Sequence, residues 1–299
     1  MASTPTNYSP PVTKLLTLGD PRKIPTWFSY STLGLKAAHI SDLIRMALDD
    51  DLHWADSDSR EVWAPLHAWR ALGQLQAGEA IEPLLTLLSR IDEFNDDWVG
   101  EDLPKAIGLI GQAALEPVAR YLADPDHLLW ARVAASTSLV EIARRYPDLR
   151  EQCVTSLTQQ LSRFNELDPI LNGSIISDLV DLRAVEAAPV IEQAFAAKRV
   201  DISILGDWED TQIELGLLTK RLTPKPNYHL WDRVLGPLLG TGQEASEPPP
   251  KTPHRQPDDN AVLRARLKTQ AEAQRKAKAK AKAKRKQQKK SRQQSRRRK

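Results

Sequence analysis

Two stretches, "ALGQLQAGEAIEPL" (Ala71–Leu84) and "AIGLIGQAALEPV" (Ala106–Val118), decide how the rest of the chain is read. Laid over one another with one residue skipped, they match Ala71 to Ala106, Gly73 to Gly108 and Ala80 to Ala114. Ile81, Glu82 and Pro83 then fall on Leu115, Glu116 and Pro117, with the two prolines 34 residues apart. A third copy, "DLVDLRAVEAAPVI" (Asp178–Ile191), sets Leu182, Ala184, Glu186, Ala187 and Pro189 over Leu75, Ala77, Glu79, Ala80 and Pro83. A recurrence of this length is the mark of a stacked-repeat architecture.

Working outward, apolar residues recur at three and four from about Leu35 to Leu218, as in "AAHISDLIRMAL" and "ASTSLVEIARRY". That period predicts helix after helix, and alternating strand patterns are hard to find. A more divergent helix pair, with Pro147 at its turn, separates the second and third copies. "KAAHISDLIRMAL" reads as the second half of a first, degraded unit. Each unit is a helix, a turn and a second helix opening near a proline, which a first helical turn tolerates because its N–H has no partner to lose. Ala71, Gly73, Ala106 and Gly108 are small enough to let neighbouring helices approach closely. One such hairpin cannot bury its apolar faces alone, whereas stacked copies bury a continuous core.

These residues resemble HEAT repeats, and "ALGQLQAGEAIEPLLTLL" and "AIGLIGQAALEPVARYLAD" are most similar to the short bacterial kind of the phycobilisome-lyase type. Tetratricopeptide units have a similar period, but their Trp/Tyr spacing is absent. The resemblance implies an all-α solenoid of about five helix pairs over residues 30–218. Around it lie an irregular N-terminal lead-in at 1–29, a Pro-rich linker at 219–260 and a basic low-complexity tail, disordered or partly helical, at 261–299. It also implies an alternative activity, a lyase or chaperone acting on a chromophore-bearing protein such as a phycobiliprotein. Other HEAT-type chemistries fail on residues. Iron-binding HEAT hydroxylases carry His-Glu dipeptides, and none of the six histidines here precedes a glutamate. HEAT-like glycosylases cradle DNA on a basic surface, and the body here is acidic.

The charge is divided. Residues 251–299 carry 20 of the 42 basic residues and three of the 39 acids, a net of +17, which leaves the first 250 residues at −14. An acidic body with a basic tail points to an interaction tail. Its densest part, from Arg275, comprises Lys276, Lys278, Lys280, Lys282, Lys284, Arg285, Lys286, Lys289, Lys290, Arg292, Arg296, Arg297, Arg298 and Lys299. These cations suit the phosphates of nucleic acid or another polyanion. No aromatic is interleaved to stack bases, so such binding is expected to ignore sequence. Folding back on the acidic body and serving as a solubilising extension stay open as other uses.

The single cysteine, Cys153, excludes an internal disulfide and a Cys-based zinc site, and its apolar setting reads as a small buried hydrophobe. No apolar run is long enough to span a bilayer. The Ser/Thr/Pro-rich start is faintly similar to an organelle-targeting peptide, but reads as a disordered leader. A cytoplasmic protein is expected. "DSDSREVW" (Asp56–Trp63) is no calcium loop, because Arg60 and Glu61 fill the places of a ligand and the turn glycine. Asp58 with Glu61 is expected to form a capping box instead.

Three groups are candidate contacts for a protein partner. Trp63, His67 and Arg70 share one helix face, as a ligand stripe or as a packed aromatic edged by polar groups. "NDDWVGED" sets Trp98 beside Asp96 and Asp97, and "GDWEDTQIE" sets Trp208 among Asp207, Glu209 and Asp210. Helix capping accounts for the acids. A Trp among carboxylates also suits a Lys/Arg-rich peptide through charge and cation–π contact. No catalytic, cofactor or metal site is read from the sequence. The expected function is a non-enzymatic adaptor, its body holding a protein partner and its tail an anionic polymer.

Overall fold

The structure, a computed structural model, describes residues 8–24 and 28–226. The chain divides into two units, Met1–Tyr228 and His229–Lys299, and the second lies outside the described residues. Among the described residues every regular element is helical.

The helices are α1 (Leu15–Leu18), α2 (Ile40–Ala47), α3 (Asp50–His53), α4 (Ala64–Gln74), α5 (Ile81–Leu85), α6 (Ser89–Phe94) and α7 (Asp97–Ile110). They continue with α8 (Gln112–Ala123), α9 (Leu129–Arg145), α10 (Arg150–Leu161), α11 (Pro169–Asp181), α12 (Ala188–Ala196), α13 (Ile202–Leu205) and α14 (Trp208–Glu214). They stack in two rows, in a solenoid-like arrangement. Helices α2, α4, α7, α9, α11 and α13 follow one another side by side in one row, and α5, α8, α10, α12 and α14 form the other. Leu72, Leu84, Leu103, Ile107, Leu122 and Leu139 are fully buried in the shared core. Each such side chain is worth about 1.5–3 kcal/mol of burial.

The repeat seen in the sequence is a repeat of geometry. After α4 and α11 the chain turns through the left-handed residues Gln76 (φ 52°) and Arg183 (φ 51°), which occupy the same place in the aligned copies. Both turns close with the same pair of bonds, Ala77 N–H to the Leu72 carbonyl (3.1 Å) and Gln76 N–H to Gly73 (3.0 Å), against Ala184 to Leu179 (2.9 Å) and Arg183 to Val180 (2.8 Å). This is the Schellman pattern, which satisfies the last carbonyls of a helix. In the middle copy Gly111 (φ 77°) takes that place.

The two matched glycines set the row spacing. A Cβ on Gly73 would lie 2.6 Å from the Ala106 carbonyl oxygen, and one on Gly108 would lie 2.6 Å from the Glu141 Cβ. Helices α4 and α7, and α7 and α9, therefore touch at backbone distance. The prolines behave less uniformly. Pro189 and Pro83 lie in the first turns of α12 and α5, but α8 starts at Gln112 and carries Pro117 in its interior. The carbonyl that loses a donor there belongs to Ala113, which is exposed to water.

Three expectations are corrected. The lead-in is not a loose approach to the solenoid: Tyr8, Val12 and Leu15 are buried, and α1 packs on α4. The cause lies in α4, whose residues from Ala64 to Gly73 are all buried. A helix with apolar residues all round needs cover on every side, and the lead-in supplies part of it, including the Gly19 carbonyl that meets buried His67. "KAAHISDLIRMAL" also changes role, because α2 packs directly on α4, in the same row. The capping box of Asp58 and Glu61 does not form. Arg60 occupies the N-cap without a side-chain bond, and Asp56 instead accepts from the Asp58 N–H at 3.0 Å.

Candidate docking sites

The stripe on α4 is core. His67 is fully buried: its Nε2–H donates to the Gly19 carbonyl and its Nδ1 accepts from the Tyr30 hydroxyl, each at 2.7 Å. The carbonyl can only accept, so Nε2 carries a proton, and in the neutral ring Nδ1 is then the acceptor. Burial pulls its pKa below the usual value. Three residues on, Arg70 donates from Nε (2.9 Å) and Nη2 (2.5 Å) to the two oxygens of Asp102 on α7, and the Trp69 indole N–H donates to the same carboxylate at 2.8 Å. This network ties the lead-in, α4 and α7 together. It leaves His67 and Arg70 no surface to offer a partner, which corrects the ligand-stripe reading. Trp63 alone of the three remains partly exposed.

The stretch at the start of α7 is built as a cap and then covered by a cation. Asp96 accepts from the Val99 N–H at 3.3 Å and from Arg90 Nε at 3.3 Å. Asp97 is exposed. The Trp98 ring meets Trp63 edge-on, centroids 5.2 Å apart. The Arg22 guanidinium, from the lead-in, lies over both rings at 5.7 and 5.6 Å and is held by Asp20 at 2.7 Å. The expected cation is thus present in cis.

The same holds at α14. Asp207 and Asp210 form a reciprocal capping box, with bonds of 3.0 and 3.4 Å. Trp208 leans on Phe195 of α12, centroids 6.0 Å apart. Arg221 then reaches back to Asp207 (2.7 Å) and Asp210 (2.6 Å), and its neighbours Leu222 and Thr223 donate their backbone N–H groups to Glu209 at 3.0 and 3.1 Å. The backbone donors of Thr223 and Leu222 hold the Glu209 carboxyl below its usual range. Residues read as the start of a linker are therefore part of the body as far as Thr223.

Sequence reasoning missed two places. Trp54 and Phe94 meet edge-on at 5.0 Å beneath the Arg90 guanidinium, which lies 5.4 and 5.2 Å from their rings. At the start of α9, the N-cap Leu128 and Trp130 in the first turn are 49% and 48% exposed, high for large apolar side chains. Asp92, from α6, caps this helix from outside by accepting the Trp130 and Ala131 N–H groups at 3.0 and 2.9 Å. Beside it, His127 stacks on Tyr121 with centroids 3.5 Å apart. No acid adjoins Trp130 in sequence, so the local pattern that singled out Trp98 and Trp208 is missing there.

Cys153 is buried, and burial pushes its thiol up to about 11. Asp178 is buried on α11, accepts from the Ser136 hydroxyl of α9, and is pushed up to about 7 by that burial. Among the described residues no group of His, Cys, Asp and Glu is placed to hold a metal ion, and no helix is long and apolar enough to cross a membrane. The polybasic tail, Lys276 to Lys299, lies outside the described residues.

Residues 57–236 match a family model described as "Protein of unknown function (DUF1186)". The chain belongs to this family. The DUF1186 match runs from just ahead of α4 to beyond α14, so it contains Trp63, Trp98, Trp130 and Trp208 and stops before the polybasic tail. No curated protein and no solved structure matches the chain.

Proposed function

We propose that the protein is a non-enzymatic adaptor of HEAT-like repeats, whose body holds a protein partner while its tail binds nucleic acid or another polyanion without regard to sequence. The observation that carries this reading is the division of charge: −14 over the first 250 residues against +17 over the last 49. The body supports it by what it does with its polar groups. Its buried His67, Arg70 and Asp102 are used in packing, while exposed Leu128 and Trp130 remain at a helix edge.

The test compares the full chain with one ending at Leu239, against unrelated RNA and DNA of equal length. The full chain should bind all of them alike, with affinity falling steeply as salt rises. The slope of log affinity on log salt is about −0.9 per duplex phosphate neutralised, or about −0.7 for single strands. Engaging half of the fifteen cations from Arg275 to Lys299 gives roughly −5 to −7. The shortened chain should not bind, because the body repels phosphate. Binding that survives the deletion would refute the assignment of the polyanion to the tail.

A further inference from the structure

Three arginines of this body lie over aromatic rings while a carboxylate steadies each one. Arg22 covers Trp63 and Trp98 at 5.6 and 5.7 Å, held by Asp20 at 2.7 Å. Arg90 covers Trp54 and Phe94 at 5.4 and 5.2 Å, between Asp96 at 3.3 Å and Asp50 at 3.6 Å. Arg45 lies 4.1 Å from the Tyr8 ring centroid, with Asp42 at 2.9 Å. In each case the ring's negative face and a carboxylate share one guanidinium, which can stack on an aromatic face and still donate from its edge.

The start of α9 has the same parts without the arginine. The Trp130 ring is half exposed, and the Asp92 carboxylate is fixed at its base by the Trp130 and Ala131 N–H groups. Glu93, next to Asp92, and Asp126, on the turn leading into α9, are both exposed. Among the described residues no Lys or Arg lies over the Trp130 ring. Leu128, the N-cap two residues before it, is likewise exposed. We propose that this edge is a docking site for a protein partner's peptide segment that carries an arginine flanked by apolar residues. The guanidinium would lie on Trp130, drawn by the acidic Asp92, Glu93 and Asp126, and the apolar neighbour would cover Leu128. The proposal rests on the adaptor reading and names the chemistry of its protein partner.

The test uses the full chain and a fluorescein-labelled hexapeptide of alternating leucine and arginine. A second peptide replaces each arginine with citrulline, which has the same shape and no charge. The arginine peptide should bind the wild-type chain more tightly than the citrulline peptide. Trp130→Ala should weaken arginine-peptide binding by about three- to thirtyfold, the range spanned by exposed and desolvated cation–π contacts. Trp130→Leu keeps an apolar side chain without a π face, so it should erase most of the preference for arginine over citrulline while citrulline binding persists. Val185→Ala, at an exposed apolar position elsewhere, should change neither. Equal affinity for the two peptides, an unchanged preference in Trp130→Leu, or no binding at all would each overturn the proposal. None of these outcomes touches the salt dependence of the tail, so failure here and failure of the polyanion assignment are read separately.

Discussion

Replacing Asp178 by Asn should stabilise this protein, by an amount that grows as pH rises from about 4 to about 7 and is constant above that. Asp178 is buried between α9 and α11, with the Ser136 hydroxyl donating to one of its oxygens. The charged groups around it are Asp181, which opposes its ionisation, and Arg144, which favours it but is itself paired with Asp181 at 2.9 Å. Burial dominates, and the carboxyl is pushed from 3.8 up to about 7. The folded state therefore keeps a proton that the unfolded state releases. Stability from this group is fully present below pH 3.8, falls as pH rises, and reaches its floor above about 7. At 1.36 kcal/mol for each pH unit between the two values, the loss at pH 8 is about 4 kcal/mol. Asn is a permanently neutral carboxamide that still accepts from Ser136. Urea denaturation of both proteins at several pH values from 4 to 8 isolates this one group, because all other titrations cancel in the difference. The variant should equal the wild type near pH 4 and exceed it by several kcal/mol at pH 8. A difference that does not change with pH, or a variant less stable at pH 8, would refute the argument that the Asp178 charge lacks compensation.

Other substitutions test other joints. Arg70→Met leaves the Asp102 carboxylate buried without its cation and should cost about 3–5 kcal/mol in denaturant unfolding; adding Asp102→Asn, which still accepts from Trp69, should recover most of it. Gly108→Ala puts a methyl group into the Glu141 backbone and should cost about 1–3 kcal/mol, readable as a fall in the melting temperature. His67 is held neutral by burial, so its contribution is present above the unfolded value of about 6.5 and is lost as pH falls through its lower folded value; His67→Phe should flatten that part of the stability profile while lowering stability at pH 8. Glu209→Gln loosens the strap at Leu222 and Thr223, and limited proteolysis with trypsin should then cut faster after Lys220 with the helices unchanged.

The sequence by itself determined the helices, their repetition and the positions of closest approach. The spacing of apolar residues is set by backbone geometry within a turn, and stacked units touch only their neighbours. Both leave a local trace, so the matched glycines Gly73 and Gly108 could be read as contact points before any contact was seen. The turns at Gln76 and Arg183 repeat for the same reason. Tertiary structure alone decided which charged and aromatic groups are already satisfied. Trp98 and Trp208 look alike in sequence, yet a lead-in arginine covers the first, and Arg221 pairs with the acids around the second, from 14 residues beyond Asp207. The Asp92 that caps α9 lies 38 residues before Trp130. Among the described residues Trp130, with no acid beside it in sequence, is the tryptophan left half exposed with a carboxylate at its base. A charge takes its partner from whatever the fold brings within a few ångströms, and that choice leaves no periodic mark in the chain.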